Sequence, residues 1–215
     1  MRSARNVIRS KCAALIYCLA TPAAAFDLAD CWQTKDPALE IAACTAFIEA
    51  GTLNPDQLPK ALTGRGVGHA RSGAYDKALA DHGTAIGLAP SYPLPYVNRG
   101  STYSAMGDYA RAIADFGAAL KLDADNAGAL NNRAWAYFKL GRSAEALADA
   151  DRAVGLKPKL AAVHDTRGHV LEALGRTVEA VAAFRQALTL APDMASSRAA
   201  LERLGDGAWL AQSKP

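Results

Sequence analysis

The 215-residue chain is poor in aromatics (7%) and carries only four cysteines. Runs of β-branched residues are missing, and alanine dominates an apolar fraction of 51%. That balance disfavours a sheet and favours close-packed helices. No apolar stretch reaches the roughly 20 residues that a bilayer-spanning helix needs. The chain also lacks a Walker loop, an HExxH, a CxxC and a GxSxG, so no enzyme, no catalytic residue and no cofactor is expected. With 21% charged residues, 17 glycines and 10 prolines, the composition excludes wholesale disorder and a collagen-like fibre.

Acids are absent before Asp27. Arg2, Arg5, Arg9 and Lys11 make a positive head, CAALIYCLAT a short apolar stretch, and Pro22 a break before Ala23-Ala24-Ala25. This is the order of a cleavable secretory signal over residues 1–25, cut after Ala25. Its loss predicts an exported chain, periplasmic or secreted, with no membrane insertion after removal. The formal charge of +3 falls to about −1 without the leader, which offers no attraction for nucleic acid. Cys12 and Cys18 leave with the leader. Cys31 and Cys44 remain as an even pair in an oxidising compartment, and a disulfide between them is expected, stabilising by about 3 kcal/mol.

The remainder repeats every 34 residues. Gly73, Gly107, Gly141 and Gly175 keep this spacing, as do Ala78, Ala112, Ala146 and Ala180, and Leu88, Leu122, Leu156 and Leu190. With Pro59 as position 1, four uninterrupted units span 59–92, 93–126, 127–160 and 161–194. Each reads as two helices. The glycine ends the first, where positive φ is needed. The second carries an apolar stripe, as in Ala112, Ile113, Phe116, Ala119 and Leu120.

These units resemble the tetratricopeptide repeat, and the chain an exported bacterial member of that family. Position 8 is Gly66, Gly100, Ala134 and Gly168; the alanines at positions 20 and 27 recur in all four units. The aromatic positions 11 and 24 are met only by Tyr103, Tyr137, Phe116 and Phe184, with His69 and His82 in repeat one. The resemblance implies an all-α fold, a right-handed α-solenoid of helix-turn-helix units with a concave groove lined by the first helices. A single unit cannot bury its apolar face alone, so the stack folds as a whole.

Residues 26–58 are expected to cap the first repeat as a half-repeat, opened by Asp36-Pro37. Residues 195–215 hold a capping helix and tail, the helix burying Ala199, Leu201 and Leu204, with Arg198, Glu202 and Arg203 outward. Position 7 is arginine in every unit, and position 23 is Asp81, Asp115, Asp149 and then Ala183. Either the arginines form a ladder for an anion or they pair with the acids, within a unit or from one unit to the next. The neighbour scheme uses all three acids: Asp81 with Arg99, Asp115 with Arg133, Asp149 with Arg167. His69 and His82, and His164 with His169, are too few for a zinc site, so no metal is expected. GRGVG at Gly64–Gly68 follows no strand, fails as a dinucleotide loop, and reads as close helix packing.

In this family ligands lie along positions 2, 5, 9, 12 and 13 of the first helices. The resemblance places Val97, Ser101, Asn131, Trp135, Phe138, Lys139, His169 and Glu172 in a groove for a peptide or partner protein, beside Thr63, Val67, Arg71, Leu94, Ser104 and Asp165. Thr63 and Val67 stand where the family's carboxylate clamp wants Lys and Asn, so that clamp is missing. Trp135 and Phe138 form the expected exposed aromatic anchor. The function so read is a non-catalytic interaction scaffold. The alternatives are a self-assembling structural module and an accessory factor of a cell-envelope enzyme.

Overall fold

A computed structural model describes residues 27–32, 35–206 and 209, so the expected leader lies outside the described residues. A 3₁₀ turn (Leu28–Cys31) precedes ten helices among those residues: α1 (Pro37–Ala50), α2 (Gln57–Arg71), α3 (Tyr75–Leu88), α4 (Pro93–Ala105), α5 (Tyr109–Leu122), α6 (Ala127–Lys139), α7 (Ser143–Leu156), α8 (Ala161–Ala173), α9 (Thr177–Leu190) and α10 (Ala195–Arg203). Asp36 caps α1, its side chain accepting from the Ala38 N–H at 2.9 Å, with Pro37 in the first turn. Gly73, Gly107, Gly141 and Gly175 stand at φ 72 to 81° between the two helices of each unit. Only glycine adopts this conformation cheaply.

Each odd-numbered helix from α3 to α9 pairs with the helix before it and packs on the one after it. The first helices of successive units, α2, α4, α6, α8 and then α10, also touch one another, whereas α3, α5, α7 and α9 do not. A stack in which one set of helices converges and the other splays must curve, with the converging set inside. The chain is an α-solenoid whose concave face is built from α2, α4, α6 and α8.

Small and large residues alternate to fill each unit. A Cβ on Gly100 would lie 2.8 Å from Phe116 Cε1, and one on Gly168 2.5 Å from Phe184 Cε1. The rings therefore occupy the space the missing side chains leave. Repeat three reverses the arrangement: Ala134 brings a Cβ, Ala150 replaces the ring, and both are buried with Val170. Tyr137, Phe138, Leu147 and Leu174 pack against this cluster, where close packing needs the volume of the absent ring supplied.

Three of the four position-7 arginines pair within their own unit. Arg65 donates to Asp81 at 2.8 and 2.6 Å, Arg99 to Asp115 at 2.7 Å twice, and Arg133 to Asp149 at 2.6 and 2.8 Å. The neighbour scheme is not the one formed: each fork meets the carboxylate sixteen residues on, on the helix it is paired with in its own unit. Arg167, whose own unit offers only Ala183, turns back instead to Asp151 of the preceding unit at 2.6 Å. The arginines are thus consumed in packing, and no anion ladder is presented.

Both ends are covered. Cys31 and Cys44 stand at disulfide distance, Sγ to Sγ 2.05 Å, where the 3₁₀ turn meets α1. Protein isolated from an oxidising compartment is expected to weigh about two daltons less than its reduced form; equal masses would show free thiols. At the other end α10 buries Ser197, Ala200 and Leu201 on Leu171, Phe184 and Leu188. Ala199, expected inside, is exposed and Ala200 takes its place, because the buried stripe starts at Ser197. Arg203 is exposed, as expected, and from there reaches Glu172 at 2.9 and 2.8 Å.

Candidate functional site

The concave face carries three cavities in series. The first, about 350 Å³, lies between Trp32, Lys60 and Thr63 on one side and Tyr92, Leu94 and Asn98 on the other. The second, about 260 Å³, shares Val67 and Asn98 with it and extends to Ser101. The third, about 220 Å³, shares Ser101 with the second and ends at Ser104, Phe116, Asn132 and Trp135. Together they follow α2, α4 and α6, across repeats one to three. Their residues fall at one face because first-helix positions three and four apart share a side.

Polar groups on this face are incompletely used. Ser101 Oγ donates to the Val97 carbonyl at 2.9 Å and accepts from Asn132 Nδ2 at 3.4 Å. Asn131 Nδ2 reaches Asn132 Oδ1 at 3.4 Å, while Asn131 Oδ1 is buried with no partner. Ser104 Oγ, on the wall of the third cavity, is likewise buried and unpartnered. Buried polar atoms without partners are uncommon in folded proteins.

Trp135 and Phe138 are half-buried, and the fully exposed anchor expected from the sequence is not what forms. Their rings lie 5.2 Å apart, and both meet His169 of repeat four at 5.7 Å. Phe138 also packs on the Ala134, Ala146, Ala150 and Val170 cluster. The reason is spacing: i, i+3 places both rings on the edge facing the next first helix. Trp135 keeps a face on the third cavity, and Lys139 Nζ stands 5.7 Å over it. His169 packs on Phe184 at 4.9 Å. Burial lowers its pKa, outweighing Asp165 and Glu172, which pull the other way.

The groove closes at repeat four. Asp165 accepts from Ser196 and Ser197 at 2.8 and 2.6 Å, and Glu172 is held by Arg203. That hydrogen bond lowers the Glu172 pKa. Glu172, read from the sequence as a groove residue, therefore serves the α10 cap. Val97 packs in the Ala112, Phe116 and Ala136 cluster. The structure brings together Ser101, Trp135 and their neighbours Ser104 and Asn132, and sets Val97, His169 and Glu172 apart from the open cavities.

Trp32, Lys60, Tyr92, Asn98 and Asn132 were not expected at this face. Asn98 and Asn132 are 34 residues apart at position 6, a polar recurrence that self-alignment contains. Trp32 precedes the first unit and has no periodic signal. Among the described residues, no three His, Cys, Asp or Glu group as a metal site.

Family models of the tetratricopeptide repeat match residues 97–161 and 161–194. The chain thus contains tandem tetratricopeptide repeats, and solved structures agree. A tetratricopeptide-repeat protein of Thermus thermophilus, TTC0263, shares 24% identity over 78% of this chain and 91% of its own, with a TM-score of 0.63. The first such domain of Spaghetti (RPAP3), bound to the HSP90 peptide SRMEEVD, shares 26% over 55% of this chain and 94% of its own, TM-score 0.54. The Arabidopsis OM64 domain shares 29% over 52% and 93%, TM-score 0.51. No curated protein matches the chain.

Proposed function

We propose that this chain is a non-catalytic scaffold that holds an extended segment of a partner protein along α2, α4 and α6, in the periplasm or outside the cell. The observation that carries this reading is the run of three cavities along α2, α4 and α6, with the unpartnered Ser104 Oγ on the wall of the third. A segment laid there brings backbone N–H and C=O groups to the polar side chains that line it. Trp135, at the end of the cavity series, supplies the apolar contact.

The repeat architecture supports interaction in general, and a structural neighbour is bound to an HSP90 peptide. Thr63 and Val67 replace that family's carboxylate clamp, so the bound segment is internal rather than C-terminal. The leader over residues 1–25 supports export.

Because Phe138 packs into the core shared by repeats three and four, Trp135→Ala is the cleaner test than the double variant. Cross-linking in the periplasm followed by mass spectrometry is expected to recover a partner with the wild type. Trp135→Ala is expected to lose it while keeping full helicity by circular dichroism. The same adducts from both proteins would refute the groove.

A further inference from the structure

The first cavity has two aromatic walls that do not meet. Trp32, from the turn before α1, stands on one side, and Tyr92, just before α4, on the other. No ring contact joins them, or joins either to another ring among the described residues. Trp32 and Leu94 are exposed, and Val67 adds a further apolar wall. The volume, about 350 Å³, is that of a small-ligand pocket. Aromatic rings gain from an offset or edge-on aromatic partner, and in this cavity that partner is missing.

Aromatic walls alone also suit a cation. The charge beside them decides against one. Lys60 lines the same cavity, is exposed, and has no acidic partner among the described residues. It stands in the first turn of α2, where the helix dipole disfavours a cation, so helix stability does not account for it. The acid of the lining, Glu40, is buried, and its carboxylate accepts from Arg71 at 3.0 Å. The cavity is therefore net positive. An ammonium and an indole N–H offer donors and no acceptor; the group they lack is an anionic acceptor.

We propose that the first cavity takes an aromatic side chain of the held segment, its ring between Trp32 and Tyr92, with an adjoining aspartate or glutamate paired to Lys60. This site rests on the scaffold reading for the source of the ring, and it is tested on its own. Acetyl-Asp-Phe-Asp-amide, acidic on both sides so that chain direction does not matter, is titrated into the ¹⁵N-labelled full chain. The Trp32 and Trp135 indole N–H signals are read. Saturable shifts are expected at Trp32 and not at Trp135. Replacing both aspartates of the probe by asparagine is expected to weaken binding about fivefold, the reach of a part-exposed ion pair. Replacing its phenylalanine by alanine is expected to weaken it by about tenfold or more. Lys60→Gln, at an exposed helical position, is expected to abolish the first difference and keep the second.

Equal affinity for the aspartate and asparagine probes, a difference that survives Lys60→Gln, tighter binding of acetyl-Lys-Phe-Lys-amide, or no shift at Trp32 would overturn the site. A Trp32 signal that moves with protein concentration alone would give the cavity to a second copy of the chain and overturn it as well. Should Lys60→Gln fail to fold, the probes on the wild type decide. Failed tripeptide binding alongside intact, Trp135-dependent capture removes only this site. Tripeptide binding without capture removes only the groove.

Discussion

His82→Phe is expected to stabilise the chain and to remove much of its sensitivity to mild acid. At neutral pH the gain comes from no longer burying two unpartnered nitrogens, about 1–2 kcal/mol. The imidazole lies against Gly66, and the phenyl ring has precedents in Phe116 against Gly100 and Phe184 against Gly168. The acid effect follows from linkage. Burial, the leading cause, lowers the His82 pKa from 6.5 to about 4, against a smaller opposing pull from Asp81 and with help from Arg99. The unfolded chain therefore takes up the proton first. Stability from the neutral imidazole is complete above about pH 6.5 and is lost as pH falls towards 4, by about 2 kcal/mol at pH 5. Urea melts at pH 7.5 and pH 5 should show the variant's advantage widening by that amount. Glu40, whose pKa burial raises, acts alike in both proteins and cancels. A constant difference between the two pH values would refute the assignment.

Gly64→Ala is expected to destabilise by about 2 kcal/mol, the net of an overpacking penalty and a helix-propensity gain of about 1 kcal/mol. A Cβ at this position runs into the Cys31 carbonyl and comes within 3.2 Å of Cys44 Sγ. A backbone carbonyl cannot rotate aside as a side-chain tip can. The Leu28–Cys31 turn must move, and Trp32 with it, off the wall of the first cavity. Gly155→Ala, with nothing within 4 Å, is the control and is expected to gain about 1 kcal/mol. The two substitutions thus differ in sign on chemical denaturation. A neutral or stabilising Gly64→Ala would show that the turn is not seated against α2.

The 34-residue period made the helices of 59–194 legible because each unit repeats one packing problem. Gly107 at φ 81° and the Ala112 stripe stand where self-alignment puts them. The Arg–Asp partnership was legible in kind but not in direction. Sequence spacing says that Arg99 and Asp115 recur together; only the antiparallel approach of α4 to α5 decides which arginine meets which acid. The aromatic anchor was half legible. Trp135 and Phe138 leave the repeat's core positions, yet the next helix offers His169, and the rings follow it. Glu172 was misplaced because its partner, Arg203, lies outside the periodic region. Trp32 was out of reach for the same reason: it joins the groove through a cysteine pair and a turn, neither of which recurs.

The two termini of the stack are held by different kinds of bond. One carries the Cys31 and Cys44 pair at disulfide distance, and a bond there is indifferent to salt. The other is latched by Arg203 to Glu172 and Arg185 to Asp206, contacts that dissolved ions weaken. In a quasi-linear array, melting starts where the last unit is least secured. Rising ionic strength should therefore peel this protein from its α10 side, leaving the cavity-bearing half of the spiral to unravel last.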